Sequence, residues 1–211
     1  MNRSKGYTYA KGDLQMELTK AIKDIDTINE ILAVYPKYSK NYLLIYYLLH
    51  TGLRISDTLD AKISDRNGFR VLHEQKTGKR KELPISDNLA EKINMYALKN
   101  DLTDTDYIFF SERDPKDHIK RNRAYQILSE AGEMIGIQLS AHTLRKTYGY
   151  LQYSTYERTN GQQGASLPEL MHLFNHSTPE ITLRYIGIEQ ENLDHIVLNT
   201  GKMYSSLGID V

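Results

Sequence analysis

Three short stretches of the chain carry residues of the types and spacings that chemistry uses. His176 and Tyr185 stand nine positions apart in "LFNHSTPEITLRYIG", a run that reads as a helix end, a turn and a second helix. His142 and Arg145 lie at i and i+3 in "SAHTLRK", on one helical face. Arg54 follows a helix-ending glycine in "HTGLRISD", with Asp57 close behind it. Each has a bland reading when taken singly. A buried histidine beside an amphipathic tyrosine is unremarkable in a chain of sixteen tyrosines. A turn-capping histidine with a surface arginine explains the second pair, and a helix-terminal arginine paired with Asp57 explains the third.

Their joint order says more. With Lys76 in "QKTGK", the chain presents an arginine, a lysine on a hairpin, a His-x-x-Arg pair, a histidine and a tyrosine. Two arginines and a lysine suit a phosphate group, because guanidinium forks match its oxygens and hold their charge at any working pH. A tyrosine brought to such a cluster could attack the phosphorus. Positive surroundings would lower its pKa from ~10 and make the phenolate accessible near neutral pH. A metal centre is disfavoured: no carboxylate sits at ligand spacing near His142 or His176, and no HExxH occurs. Neither a nucleophile elbow nor any cysteine is available to a serine or cysteine hydrolase.

Composition sets the frame for these residues. At 211 residues the chain can bury a sizeable core as one domain, or as one domain with a small appendage. No apolar run approaches the ~20 residues of a membrane span, and the polar start is no secretory signal. Without cysteine, disulfides and thiolate sites are excluded, and a cytoplasmic protein is the expectation. The 27 basic and 27 acidic residues balance, but not locally. "RVLHEQKTGKRK" from Arg70 and "RDPKDHIKRNR" from Arg113 are net basic, and such patches can follow a phosphate backbone.

The elements that must position the site are mostly helical. Apolar spacing predicts a helix from Leu18 to Val34, closed by Pro36. "NYLLIYYLLHTG" predicts a central core helix ending at Gly52. "FRVLHEQ" and "KELPIS" read as two strands turning at Gly78. A helix follows Ser86 or Asp87, then a short strand "YIFFS" and helices in "NRAYQILSEAGEMIG" and "SAHTLRKTYGYLQYS". A loop "ERTNGQQGAS" precedes helices near Leu167 to Asn175 and Thr178 to Ile186.

The motifs "TGLRISD", "QKTGK", "HTLRK" and "NHSTPEITLRY" resemble, in order and spacing, those of the tyrosine recombinase (phage integrase) catalytic domain, over about residues 41 to 196. The resemblance implies an α+β, mainly helical fold with a small antiparallel β-sheet, shared with DNA breaking-rejoining enzymes. It also implies roles. Arg54 and Arg145 clamp the scissile phosphate, Lys76 and His142 manage protons, His176 supports the transition state and Tyr185 is the nucleophile. Asp57 orients Arg54. No cofactor and no metal are implied. The partner would be double-stranded DNA, bound by a homotetramer whose C-terminal tail, about 190 to 211, packs on a neighbouring protomer.

Departures from the family pattern are few. Lys146 stands where a histidine or small polar residue is common, Asn175 replaces a glycine, and the loop between Arg145 and His176 is several residues longer. About forty residues precede Asn41, too few for the family's N-terminal core-binding domain. The expectation is one catalytic domain over 1 to 211, with an N-terminal extension to about residue 17, either isolated or a short recombinase of the kind that inverts DNA. His50, His73, His118, His172 and His195 match no motif and read as structural. Two other classes remain open: a type IB topoisomerase acting as a monomer, and a non-catalytic DNA-binding regulator on the same fold.

Overall fold

The computed structural model describes residues 19–73, 80–188 and 206, apart from the side chains of His73 and Pro115. The chain divides into two compact units, Met1–Arg145 and Lys146–Val211. Among the described residues, no helix is long and apolar enough to cross a membrane.

The first unit is built around a helix that is apolar on every side. Helix α1 spans Ile25–Ala33 and α2 spans Lys40–Thr51. Ser39 caps α2, its hydroxyl accepting from the Tyr42 N–H at 3.2 Å. Gly52 ends it in the left-handed region at φ 58°, where a Cβ would be strained. From Tyr42 to Leu48 every residue of α2 is buried. Burying side chains of that size stabilises the fold by roughly 1.5–3 kcal/mol each, so α2 is the centre of the core.

Short elements wrap α2. Helix α3, Ile55–Leu59, and a 3-10 helix, Ile63–Asn67, lead into strand β1, Phe69–His73, which pairs antiparallel with β2, Arg80–Pro84. The register sets Arg70 opposite Leu83 and His73 opposite Arg80. Helix α4, Asp87–Lys99, is capped by the Ser86 hydroxyl. A second hairpin, β3 at Phe110–Ser111 and β4 at Asp114–His118, precedes helix α5 at Arg121–Met134. Helix α6, Ala141–Arg158, begins in the first unit and continues into the second.

In the second unit, α6 is followed by α7, Leu167–Phe174, and α8, Pro179–Ile186. Their core is small: Leu170, Phe174, Tyr185 and Ile186 are buried, bordered by Tyr148, Tyr150 and Tyr153 of α6. Gly149 makes that packing possible. A Cβ there would sit 2.7 Å from the Phe174 ring and 2.8 Å from Ile186, closer than carbon atoms approach.

The mainly helical fold with small antiparallel sheets matches the expectation, with differences at particular elements. Helix α1 starts at Ile25, because the Asp24 carboxylate accepts from the Thr27 N–H at 2.8 Å and fixes the first turn there. Helix α6 runs on to Arg158, past the residues read as its end. The turn at Gly78 and the tail from residue 190 lie outside the described residues, Ser206 excepted.

Candidate active site

In the first unit two buried arginines, Arg145 and Arg70, make long-range bonds to backbone. Arg54 is exposed at the N-cap position of α3, two residues beyond Gly52. The Arg145 guanidinium, 5% exposed, donates to the Gly52 carbonyl. That bond ties α6 to the turn that carries Arg54, although the two partners are far apart in sequence. Ser140 starts α6 by accepting from the Thr143 N–H at 3.1 Å, which leaves His142 exposed in the first turn and Arg145 one turn on.

Arg70 performs a similar task for the hairpin. Its side chain is buried on the inward face of β1 and donates to the Asp57 carbonyl, to the Tyr47 hydroxyl at 3.3 Å and to the Asp65 carboxylate at 3.3 Å. Strand β1 is thereby bonded to α3, the helix that starts at Arg54. Arg70 belongs to the basic stretch that could follow a phosphate backbone, but its burial takes it out of any such surface. The Asp57 carboxylate accepts from the Ser56 hydroxyl at 3.3 Å.

The second unit holds the histidine and the tyrosine together. Ser166 and Glu169 form a capping box at the start of α7. Asn175 ends that helix at φ 60°, a conformation that asparagine tolerates where glycine is usual. The chain turns there, and Thr178 caps α8 with Pro179 as its first residue. The turn brings the His176 ring edge-on to Tyr185, centroids 5.1 Å apart, while Phe174 packs against both at 5.5 and 5.2 Å. His176 Nδ1 lies 3.0 Å from the Thr182 hydroxyl. Thr182 in turn donates to the Thr178 carbonyl at 3.5 Å, so its oxygen is free to accept from Nδ1–H, an arrangement that fixes the tautomer and aim of the ring. Lys146 is 7% exposed, with its ammonium 5.3 Å from the centre of the Tyr185 ring. Burial pushes the Lys146 ammonium below the usual lysine range.

The histidine and tyrosine of the motif, nine residues apart, thus stand ring to ring. The family model described as "Phage integrase family" matches residues 20–192. The chain belongs to the phage integrase family. It is 34% identical over 180 residues to the "Probable integrase/recombinase YoeC" of Bacillus subtilis, covering 83% of this chain and 93% of that protein. It is 26% identical to "Tyrosine recombinase XerA" of Pyrococcus furiosus over 87% of this chain, but spans only 63% of that relative's length. The crystal structure of a XerA recombinase shares the fold, with a TM-score of 0.63 and 17% identity over 92% of this chain and 65% of that one.

Within this family member the structure brings Arg145 to the Arg54 turn in one unit and His176 to Tyr185 in the other. Lys76 lies outside the described residues. Two positioning residues escaped the sequence reading. An arginine at an inward position of a strand whose other inward residue is Leu72 was the available signal for Arg70. Thr182 had a weaker one, a β-branched hydroxyl residue in the helix beyond His176.

Proposed function

We propose that this integrase-family chain is a site-specific DNA recombinase that cleaves and rejoins double-stranded DNA through a 3′-phosphotyrosine link. The observation that carries the reading is the buried Tyr185 held edge-on to His176 at 5.1 Å, in the motif order of the family. In this mechanism the Tyr185 oxygen attacks a backbone phosphorus and gives up its proton. The bond from phosphorus to the 5′ oxygen breaks, leaving a 3′-phosphotyrosine and a free 5′-hydroxyl. Arg54 and Arg145 clamp the nonbridging oxygens and, with His176, oppose the charge that gathers there. Asp57 keeps Arg54 oriented. The leaving 5′ oxygen is strongly basic, and Lys76 supplies its proton, with His142 assisting as base or further donor. The bond energy is stored in the link, so a 5′-hydroxyl from another strand reseals it by the reverse reaction.

The active assembly in this reading is a homotetramer on DNA, with the C-terminal tail exchanged between protomers. A nicked suicide substrate tests the chemistry, with covalent adduct read on a denaturing gel in excess EDTA. The wild-type chain is expected to form the adduct, since the arginines and lysine supply the positive charge, and Tyr185→Phe to bind DNA without forming it. An adduct that persists in Tyr185→Phe and vanishes in Tyr148→Phe would move the nucleophile. Binding with no adduct in the wild type would favour a DNA-binding regulator, and relaxation of supercoils by a monomer would favour a type IB topoisomerase.

A further inference from the structure

Lys146 departs from the residue common at its position in the family, and its place in the second unit gives that departure a consequence. Its ammonium sits over the face of Tyr185 at 5.3 Å from the ring centre, within the distance at which a cation is held by an aromatic quadrupole. Both residues are nearly closed to water, at 7% and 9% exposure, so solvent screens the attraction little. Deprotonating a phenol spreads negative charge into its ring. An ammonium over that ring therefore attracts the phenolate more strongly than the phenol.

We propose that Lys146 is a positioning residue for Tyr185, one that fixes the ring and favours its ionised, nucleophilic form. The proposal rests on the reading of Tyr185 as the nucleophile. Burial disfavours the Lys146 ammonium, so a neighbouring anion stabilises the lysine's charged form as much as the lysine stabilises the phenolate. The coupling is reciprocal. Other titratable groups lie near: His176 packs edge-on to the same ring from the turn before α8, Arg184 precedes Tyr185 on α8, and Tyr148, Tyr150 and Tyr153 of α6 pack against the cluster that contains it. None of them changes in the variants below, so differences among those variants report Lys146. A merely structural role is the alternative, in which the lysine stem packs on the ring and the charge is incidental.

Lys146→Met separates the two, because it keeps the length of the stem and removes the charge, whereas Lys146→Arg keeps the charge. Tyr185 is followed by NMR in the full chain labelled with 13Cζ-tyrosine, its signal assigned by its loss in Tyr185→Phe. Adduct formation on the suicide substrate is measured against pH under single-turnover conditions. Lys146→Met is expected to raise the Tyr185 midpoint by about one unit above that of the wild type. Adduct formation by Lys146→Met should then be about tenfold slower at neutral pH and recover as the pH is raised, with Lys146→Arg close to wild type. An unmoved midpoint, or a rate lowered by one factor at every pH, would reduce Lys146 to packing. If Lys146→Met does not fold, Lys146→Gln takes its place, and an unmoved Tyr185 midpoint in that variant overturns the proposal. A wild-type chain that forms no adduct brings down the recombinase reading alone, since the Tyr185 titration still decides the role of Lys146.

Discussion

The two units hold their candidate site residues by different means. In the first, buried arginines reach across the core to backbone carbonyls: Arg145 to Gly52, and Arg70 to Asp57. A charged donor bonded to a carbonyl in a dry interior is fixed in direction as well as place. In the second unit, Tyr185 and His176 pack ring to ring with Phe174, and His176 Nδ1 lies 3.0 Å from the Thr182 hydroxyl. In the proposed mechanism the arginines hold the phosphate while Tyr185 attacks it, so loosening either unit should slow adduct formation for a different reason.

Removing the Arg70 guanidinium gives the largest expected effect. Arg70→Met leaves the Asp65 carboxylate, the Tyr47 hydroxyl and the Asp57 carbonyl without their shared donor. Breaking a buried pair by deleting one partner costs about 3–5 kcal/mol. Hydrogen exchange should show protection lost in α3, the 3-10 helix and β1, with α7 and α8 unchanged. Exchange at wild-type rates in β1 would mean that packing alone seats the hairpin.

Phe174→Leu probes the second unit in the same way and should cost less, about 1–3 kcal/mol, from the two ring contacts and the space lost. Faster exchange is expected in α7 and α8, with α2 untouched. Adduct formation should fall while its pH dependence keeps its shape, because neither the Lys146 charge nor the Thr182 bond is altered. Faster exchange that extends to α2 would show that the two clusters are not energetically separate.

How far these features were legible varies with the range of the interaction. The end of α2 at Gly52 and the start of α4 at Ser86 follow from residues within one turn, and the sequence pattern carries them. The start of α1 was misread because apolar spacing continues N-terminal to the Asp24 cap, and spacing alone cannot see a cap. Helix α3 is too short to show a period. Strand β4, "DPKDH", is polar and contains a proline; it is a strand only because Phe110 and Ser111 pair with it. The family motifs pick out Arg54, His142, Arg145, His176 and Tyr185 by type and spacing. Burial of Arg70 and the bond from Arg145 to Gly52 depend on contacts between distant segments, which local patterns do not encode.

The smallest expected effect is one of sign. Asp65 in the first unit has its carboxyl pushed above the usual range, since burial outweighs its bonds to the Lys62 backbone and to Arg70. Glu169 in the second is held below the usual range by the hydroxyl and N–H of Ser166. The folded state therefore binds a proton at Asp65 more readily than the unfolded chain, and stability from this group rises as the pH falls through its raised range. For Glu169 the reverse holds. Its contribution is complete above the ordinary carboxylate value of about 4.3 and is lost as the pH falls below it, through the lowered folded value. Exchange corrected for intrinsic rates, followed from neutral pH into that acid range, should show the first turn of α7 losing protection while the 3-10 helix and β1 hold or gain it. Glu169→Gln keeps an acceptor for the capping box but cannot titrate, so it should flatten the acid dependence of α7 and leave that of β1 unchanged. If α7 loosens equally in Glu169→Gln, the acid sensitivity of the second unit lies elsewhere than in its cap.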